Sequence, residues 1–168
     1  GMPEVWPQDL HPISLTRPED GGLYAENHLA YQKADIDYNF SSKDEPVNKA
    51  LWVMTPQSVN AYYSPDSNSI TFLAGILQDP FYSPKASDAE NLGRIGMVIA
   101  HEITHAFDDN GSQYDENGNI RNWWTDEDRE KFLELSRKVV DYYGAMEVQG
   151  IPVNGTQTLS ENIADLGA

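Results

Sequence analysis

Apolar positions recur along this chain with two periods, and the changes between them mark the predicted elements. From Gly22 to about Asp37, Leu23, Asn27, Ala30 and Ala34 share the three-to-four spacing of one helical stripe. Ahead of it stand Pro3, Pro7, Pro12 and Pro18. Their fixed φ and missing amides bar a long helix, so residues 1–20 are predicted to run extended over the body. SSKDEP, residues 41–46, reads as a loop. LWVM (51–54), SVNAYYS (58–64) and SITFL (69–73) read as strands. Pro65-Asp66-Ser67-Asn68 between the last two has turn composition and predicts a β-hairpin. Residues 74–85 are irregular, broken by Pro80 and Pro84.

The most apolar run follows a capping-box sequence, Ser87 to Glu90. Ile95, Met97, Val98, Ile99, Ala100 and Ile103 cover nearly every side of this predicted helix, the pattern of an element buried all round. Gly93 and Gly96 are expected to admit close neighbours. Asp109-Asn110-Gly111 ends it. Asp115–Asn119 looks superficially like a calcium loop, but its glycine is misplaced and no glutamate closes it, so a turn is predicted. Thr125 caps a second long helix, to about Met146, with Phe132, Leu135, Val139 and Tyr142 on its apolar face and Tyr143 beside them. Residues 147–154 suggest a small hairpin turning at Gly150, and a third helix begins near Ser160. With no repeat, low-complexity tract or linker, residues 1–168 are predicted to be a single α+β domain.

Composition narrows the function classes. Acidic residues number 27 against 11 lysines and arginines, a formal charge of −16. Such a surface repels nucleic acid and anionic membranes. Cysteine is absent, which excludes disulfides, thiolate metal sites and a cysteine nucleophile. No apolar run is long enough to span a bilayer, so no membrane contact is expected of this chain. Gly1-Met2 and the helix-like pattern running into Ala168 read as boundaries of a piece of a larger protein. The compartment stays open between cytoplasm and secretion for a cysteine-free, bacterial-type protein, as does the oligomeric state.

The chemistry sits inside the apolar helix. His101-Glu102-Ile103-Thr104-His105 is the pattern H-E-x-x-H. Four residues is just over one turn, so both imidazoles project from one face and converge on one ion. Glu102 stands a third of a turn round, where it reaches a water on the ion's open side. Zinc in such a site lowers the pKa of its water to about 7, and Glu102 then takes a proton as that water attacks a peptide carbonyl. The bland alternative, two satisfied histidines, leaves buried imidazoles and a carboxylate unpaired at about 1–3 kcal/mol each. A cation removes that cost. Catalytic zinc usually has three protein ligands, and Glu161 offers a third, with Asp165 on the same helical face to hold a ligand histidine. From spacing alone, Glu161 reads equally well as a first-turn glutamate favoured by the helix dipole or as the end of a Thr158-x-x-Glu161 box.

At these residues the chain resembles the neprilysin-like zinc endopeptidases. The matching segments fall in order: VNAYYSPDSNSITFLAGILQDPFY, IGMVIAHEITHAFDDNGSQYD, NWW and VNGTQTLSENIADLG, within residues 59–167. The resemblance implies a zincin-like (thermolysin-like) catalytic domain, a small mixed sheet packed on an active-site helix and truncated at its C-terminal side. It implies one zinc ion held by His101, His105 and Glu161, with Glu102 as base and Asp165 as the carboxylate that orients a zinc histidine. Asn60 and Ala61 match the pair that holds the substrate backbone. Phe81 and Val98 match the pocket for the side chain after the scissile bond, implying cleavage of oligopeptides before hydrophobic residues. Asp108, one turn from His105, is a further candidate beside the metal. The chain departs from the family at Leu73, where proline is frequent, and at Arg94, Ala100, Ala106 and Ser160, where glycine is frequent. Family members also carry a histidine and an arginine further along that stabilise the tetrahedral intermediate, so this chain alone is expected to be weakly active or inactive. The competing expectation is a catalytically silent peptide-binding module stabilised by zinc; keeping Glu102, which a structural site does not need, argues against it.

Overall fold

Two units make up the chain, residues 1–50 and 51–168, and the computed structural model describes residues 13–41 and 43–168. In the first unit, helix α1 spans Tyr24–Ser41, past its predicted end and through the start of the predicted loop. Asn27 anchors its first turn: its side chain accepts from the Thr16 amide at 3.0 Å and donates to the Thr16 carbonyl at 2.8 Å. The expected extended segment is interrupted, since Pro18–Asp20 forms a 3-10 turn closed by Gly21 at φ +85°. Proline suits the first position of such a turn, where no amide is needed. Residues 1–12 of that segment lie outside the described residues.

The second unit begins without the strand expected at 51–54. Those residues have no ladder partner among the described residues; the Val53 amide donates to the Tyr62 hydroxyl instead, at 3.2 Å. The predicted hairpin follows, β1 (Ala61–Ser64) antiparallel to β2 (Ser69–Phe72), with Ala61 opposite Phe72 and Ser64 opposite Ser69. Asn68 closes the turn at φ 44°, a conformation asparagine tolerates. The second hairpin, β3 (Glu147–Val148) with β4 (Ile151–Pro152), turns on Gln149 and Gly150, both at positive φ. The small mixed sheet is therefore corrected to two separate antiparallel ladders among the described residues. Each pair is joined by a tight turn, which permits only antiparallel pairing.

The site helix is built in pieces. α2 (Asp88–Asn91) opens on a capping box, in which Glu90 N donates to Ser87 Oγ at 3.3 Å and Ser87 N donates to the Glu90 carboxylate at 2.8 Å. A π-helical stretch, Leu92–Gly96, leads into α3, Met97–Thr104, and a 3-10 turn, His105–Phe107, finishes it. Ser87→Ala is expected to lower stability by about 1 kcal/mol in denaturant titrations while leaving the site downstream intact.

Two expectations for this helix fail. Among the described residues no neighbour lies within 4 Å of where a Gly93 Cβ would stand, and Gly96 meets only ordinary contacts; both glycines instead lie in the π-helical stretch. Nor is the helix buried all round. Strand β1 and helix α5 (Leu159–Gly167) cover one side, where Glu102 is buried, while Ile99 and Ile103 remain exposed on the other. Helix α4, Asp126–Gly144, is capped by Thr125, whose hydroxyl accepts from Asp128 N at 3.1 Å. Its covered face runs through Phe132, Ser136, Val139, Val140 and Tyr143; Leu135 and Tyr142 of the predicted face are exposed. A seryl side chain taking the central place rotates the stripe from where apolarity alone put it. Ala61, Leu73, Ile76, Leu159 and Ala164 form the buried apolar core.

Candidate metal centre

One turn of α3 separates His101 and His105, and their rings meet edge-on with centroids 4.6 Å apart. The two Nε2 atoms point at each other across 3.0 Å. Glu161, from the first turn of α5, brings Oε2 to 3.5 Å from His101 Nε2 and 3.8 Å from His105 Nε2. Among the described residues these three form a group whose ligand atoms all lie within 4.8 Å of one another. Two donors held at about 2.0–2.1 Å on a tetrahedral ion stand roughly 3.3 Å apart, so the spacing suits zinc.

Each histidine is held from behind by a carboxylate. Asp165, a turn after Glu161, lies 2.9 Å from His101 Nδ1. Asp108 lies 2.7 Å from His105 Nδ1. Asp165 is exposed, whereas Asp108 is 2 % exposed and its Oδ1 also accepts from the amides of Asn110 at 2.8 Å and Gly111 at 2.7 Å. A carboxylate at each Nδ1 puts the ring proton there and leaves each Nε2 a lone pair. Two lone pairs facing each other at 3.0 Å repel; a cation accepting both turns that repulsion into ligation. The donor set therefore fits the expected metal.

Glu102 is buried beside the rings and outside the three-atom group. Burial is the main influence and pushes its carboxyl upward; His105 and His101 pull it down, Glu161 adds a smaller upward push, and a backbone hydrogen bond from Tyr63 lowers it. An open cavity of about 410 Å³ joins these groups to the β1 strand and is lined by Asn60, Ala61 and Glu102 among others. Asn60 is exposed, with its amide 3.5 Å from Met54 Sδ and its carbonyl accepting from Leu73 N, while Ala61 is buried. Phe81 and Val98, both half-buried, do not line this cavity.

Sequence reasoning missed Tyr63, Gly111 and Ser160, which also face the cavity. Burial, then the charges of Asp108 and Asp66, push the Tyr63 phenol upward, so it stays protonated, donating to Asn68 Oδ1 at 3.1 Å. Its place two residues after Ala61 in the alternating hairpin strand was a signal available in the sequence. Helix α5 crosses α3 closely: a Cβ on Gly167 would fall 2.3 Å from Thr104 Oγ1. Only glycine permits that approach, which sets Asp165 against His101.

A H-E-x-x-H helix under a short antiparallel ladder, met by a glutamate from a second helix, is the architecture of zincin-like proteins. Residues 60–168 match Peptidase family M13, and the chain belongs to that family. It is 49% identical over 144 residues to an endothelin-converting enzyme homolog of Locusta migratoria, covering 86% of this chain and 20% of that protein. It is 45% identical over 167 residues to a neutral endopeptidase of Lactococcus lactis subsp. cremoris, covering 99% of this chain and 26% of that one. Among solved structures, an inhibitor complex of a zinc metalloprotease from Mycobacterium tuberculosis superposes with a TM-score of 0.74 at 42% identity, over 91% of this chain and 24% of that one. PepO from Lactobacillus rhamnosis HN001 gives 0.70 at 49% identity, over 72% and 19%. The chain thus spans about a fifth to a quarter of the length of these relatives. No helix among the described residues is long and apolar enough to cross a membrane.

Proposed function

We propose that this chain carries the zinc site of a metallo-endopeptidase that hydrolyses oligopeptides. The observation that supports it most is the facing pair of Nε2 atoms, 3.0 Å apart, with a carboxylate behind each ring and Glu161 closing the third side. His101, His105 and Glu161 would hold one zinc ion, which supplies a Lewis acid that polarises the scissile carbonyl and acidifies water. Asp165 and Asp108 fix the tautomers and directions of the two rings. Glu102 accepts the proton of the attacking water and returns it to the leaving amine. Asn60 and Ala61, at the head of β1, bind the peptide backbone beside the hairpin edge. Preference for cleavage before hydrophobic residues belongs to the same proposal and rests on the likeness at Phe81 and Val98.

Metal analysis of purified protein should find one zinc per chain, removable by a chelator and restored by added zinc. Glu161→Gln should weaken zinc affinity by at least the roughly 10–100-fold typical of losing an outer-shell partner, since a neutral amide replaces an anionic ligand. Zinc bound equally well by that variant would exclude Glu161 as a ligand.

A further inference from the structure

Glu161 presents a difficulty that its own surroundings do not solve: its side chain is 70% exposed, so packing does not aim it. Its direction must come from how the first turn of α5 is fastened to the rest of the molecule. Leu159 is buried in the apolar core, and the residue just before Glu161 adds a polar fastening. Ser160 Oγ donates to Asp108 Oδ2, across 52 positions of sequence, on the same oxygen that receives His105 Nδ1–H. The other Asp108 oxygen takes two backbone amides. Asp108 thereby accepts four donors in a buried position, a charge-assisted cluster whose members are costly to remove.

We infer that Ser160 is a positioning residue for zinc: its hydroxyl latches the helix bearing Glu161 onto the Asp108–His105 pair, so that two ligands from distant segments are set by one buried carboxylate. This inference rests on the zinc reading above and adds a residue to it. The far side of α5 is tied in the matching way, by Asp165 to His101. Glu161 lies between the two ties, and each zinc histidine reaches α5 through a carboxylate.

Zinc affinity, measured by competition with a fluorescent chelator, tests this on purified protein, with the visible spectrum of the cobalt-substituted form as a second readout. Ser160→Ala is expected to weaken zinc about tenfold and to alter the cobalt bands, and Ser160→Thr, which restores a hydroxyl, to recover most of the loss. The latch acts through Asp108, so in an Asp108→Asn background Ser160→Ala should cost less than about twofold. A merely structural serine would give additive losses and no rescue by threonine, and that result overturns the inference. If Glu161→Gln weakens zinc while Ser160→Ala binds it as tightly as the unaltered protein, the latch fails and the zinc site stands. If the unaltered protein binds no zinc, the site reading itself fails.

Discussion

On the proposed function, replacing Glu102 by glutamine is expected to leave zinc bound and to lower peptide hydrolysis about 10²–10⁴-fold, the usual contribution of a positioned general base. The side chain keeps its size and its place beneath the rings, and it is not among the three atoms grouped at the metal position. What it loses is the capacity to take a proton. Zinc content and peptide affinity therefore act as controls, and the loss falls on kcat. The metal-free protein provides an independent check. Burial raises the Glu102 carboxyl in the folded state, so the fold binds that proton more tightly than the unfolded chain does. Stability contributed by the protonated group is then lost as pH rises from the ordinary glutamate range through the raised folded value. Glutamine carries no such penalty. Chelator-treated Glu102→Gln should melt higher than the unaltered protein at neutral pH, with the advantage fading below about pH 4. Undiminished turnover in Glu102→Gln would refute the proposed base. A native protein that holds zinc and peptide but cleaves nothing would favour the silent binding module.

The site was more legible in the sequence than the packing around it. His101 and His105 could be paired because helix geometry converts a spacing of four into a shared face, which holds wherever the helix lies. Glu161 and Asp165 are likewise one turn apart, but nothing in that spacing says which other helix α5 meets. The crossing depends on Gly167 lying against Thr104, and a single glycine near a helix end does not announce its neighbour. Asp108 was the weakest of the carboxylate candidates, yet it is the more deeply held of the two behind the histidines. Its importance comes from amides that converge on it after the chain turns at Asn110 and Gly111, and backbone donors leave no mark on composition. Apolar pattern misled in two places for one reason. It measures how much apolar surface a helix carries, whereas burial depends on what arrives against it. Ile99 and Ile103 therefore lie exposed on the richest apolar run, and Ser136 lies buried where Leu135 was expected. LWVM had the side chains of a strand but, among the described residues, no partner to make it one.

Gly111→Ala is expected to cost the protein about 1–3 kcal/mol of stability and to weaken zinc binding by about 10–100-fold. A Cβ at this position would stand 1.9 Å from the carbonyl oxygen of His105 and 3.0 Å from its carbonyl carbon. Both are backbone atoms of a proposed zinc ligand, so no side-chain rotation relieves the overlap and the loop itself must move. That loop carries the Gly111 amide, which donates to Asp108 Oδ1, and the Asn110 amide beside it. Withdrawing them frees Asp108 to turn, and with it the partner of His105 Nδ1. The metal affinity should therefore fall together with the melting temperature. Gly93→Ala makes the contrasting case on the same helical run: its Cβ would meet nothing within 4 Å among the described residues, and both quantities should stay near those of the unaltered protein. Isothermal titration with zinc and thermal melts of the two variants decide the matter. Close approach of the loop to His105, rather than a general intolerance of side chains at glycine positions, is what the contrast isolates. Gly111→Ala binding zinc normally would mean that Asp108 keeps His105 in place without the amides that now surround it.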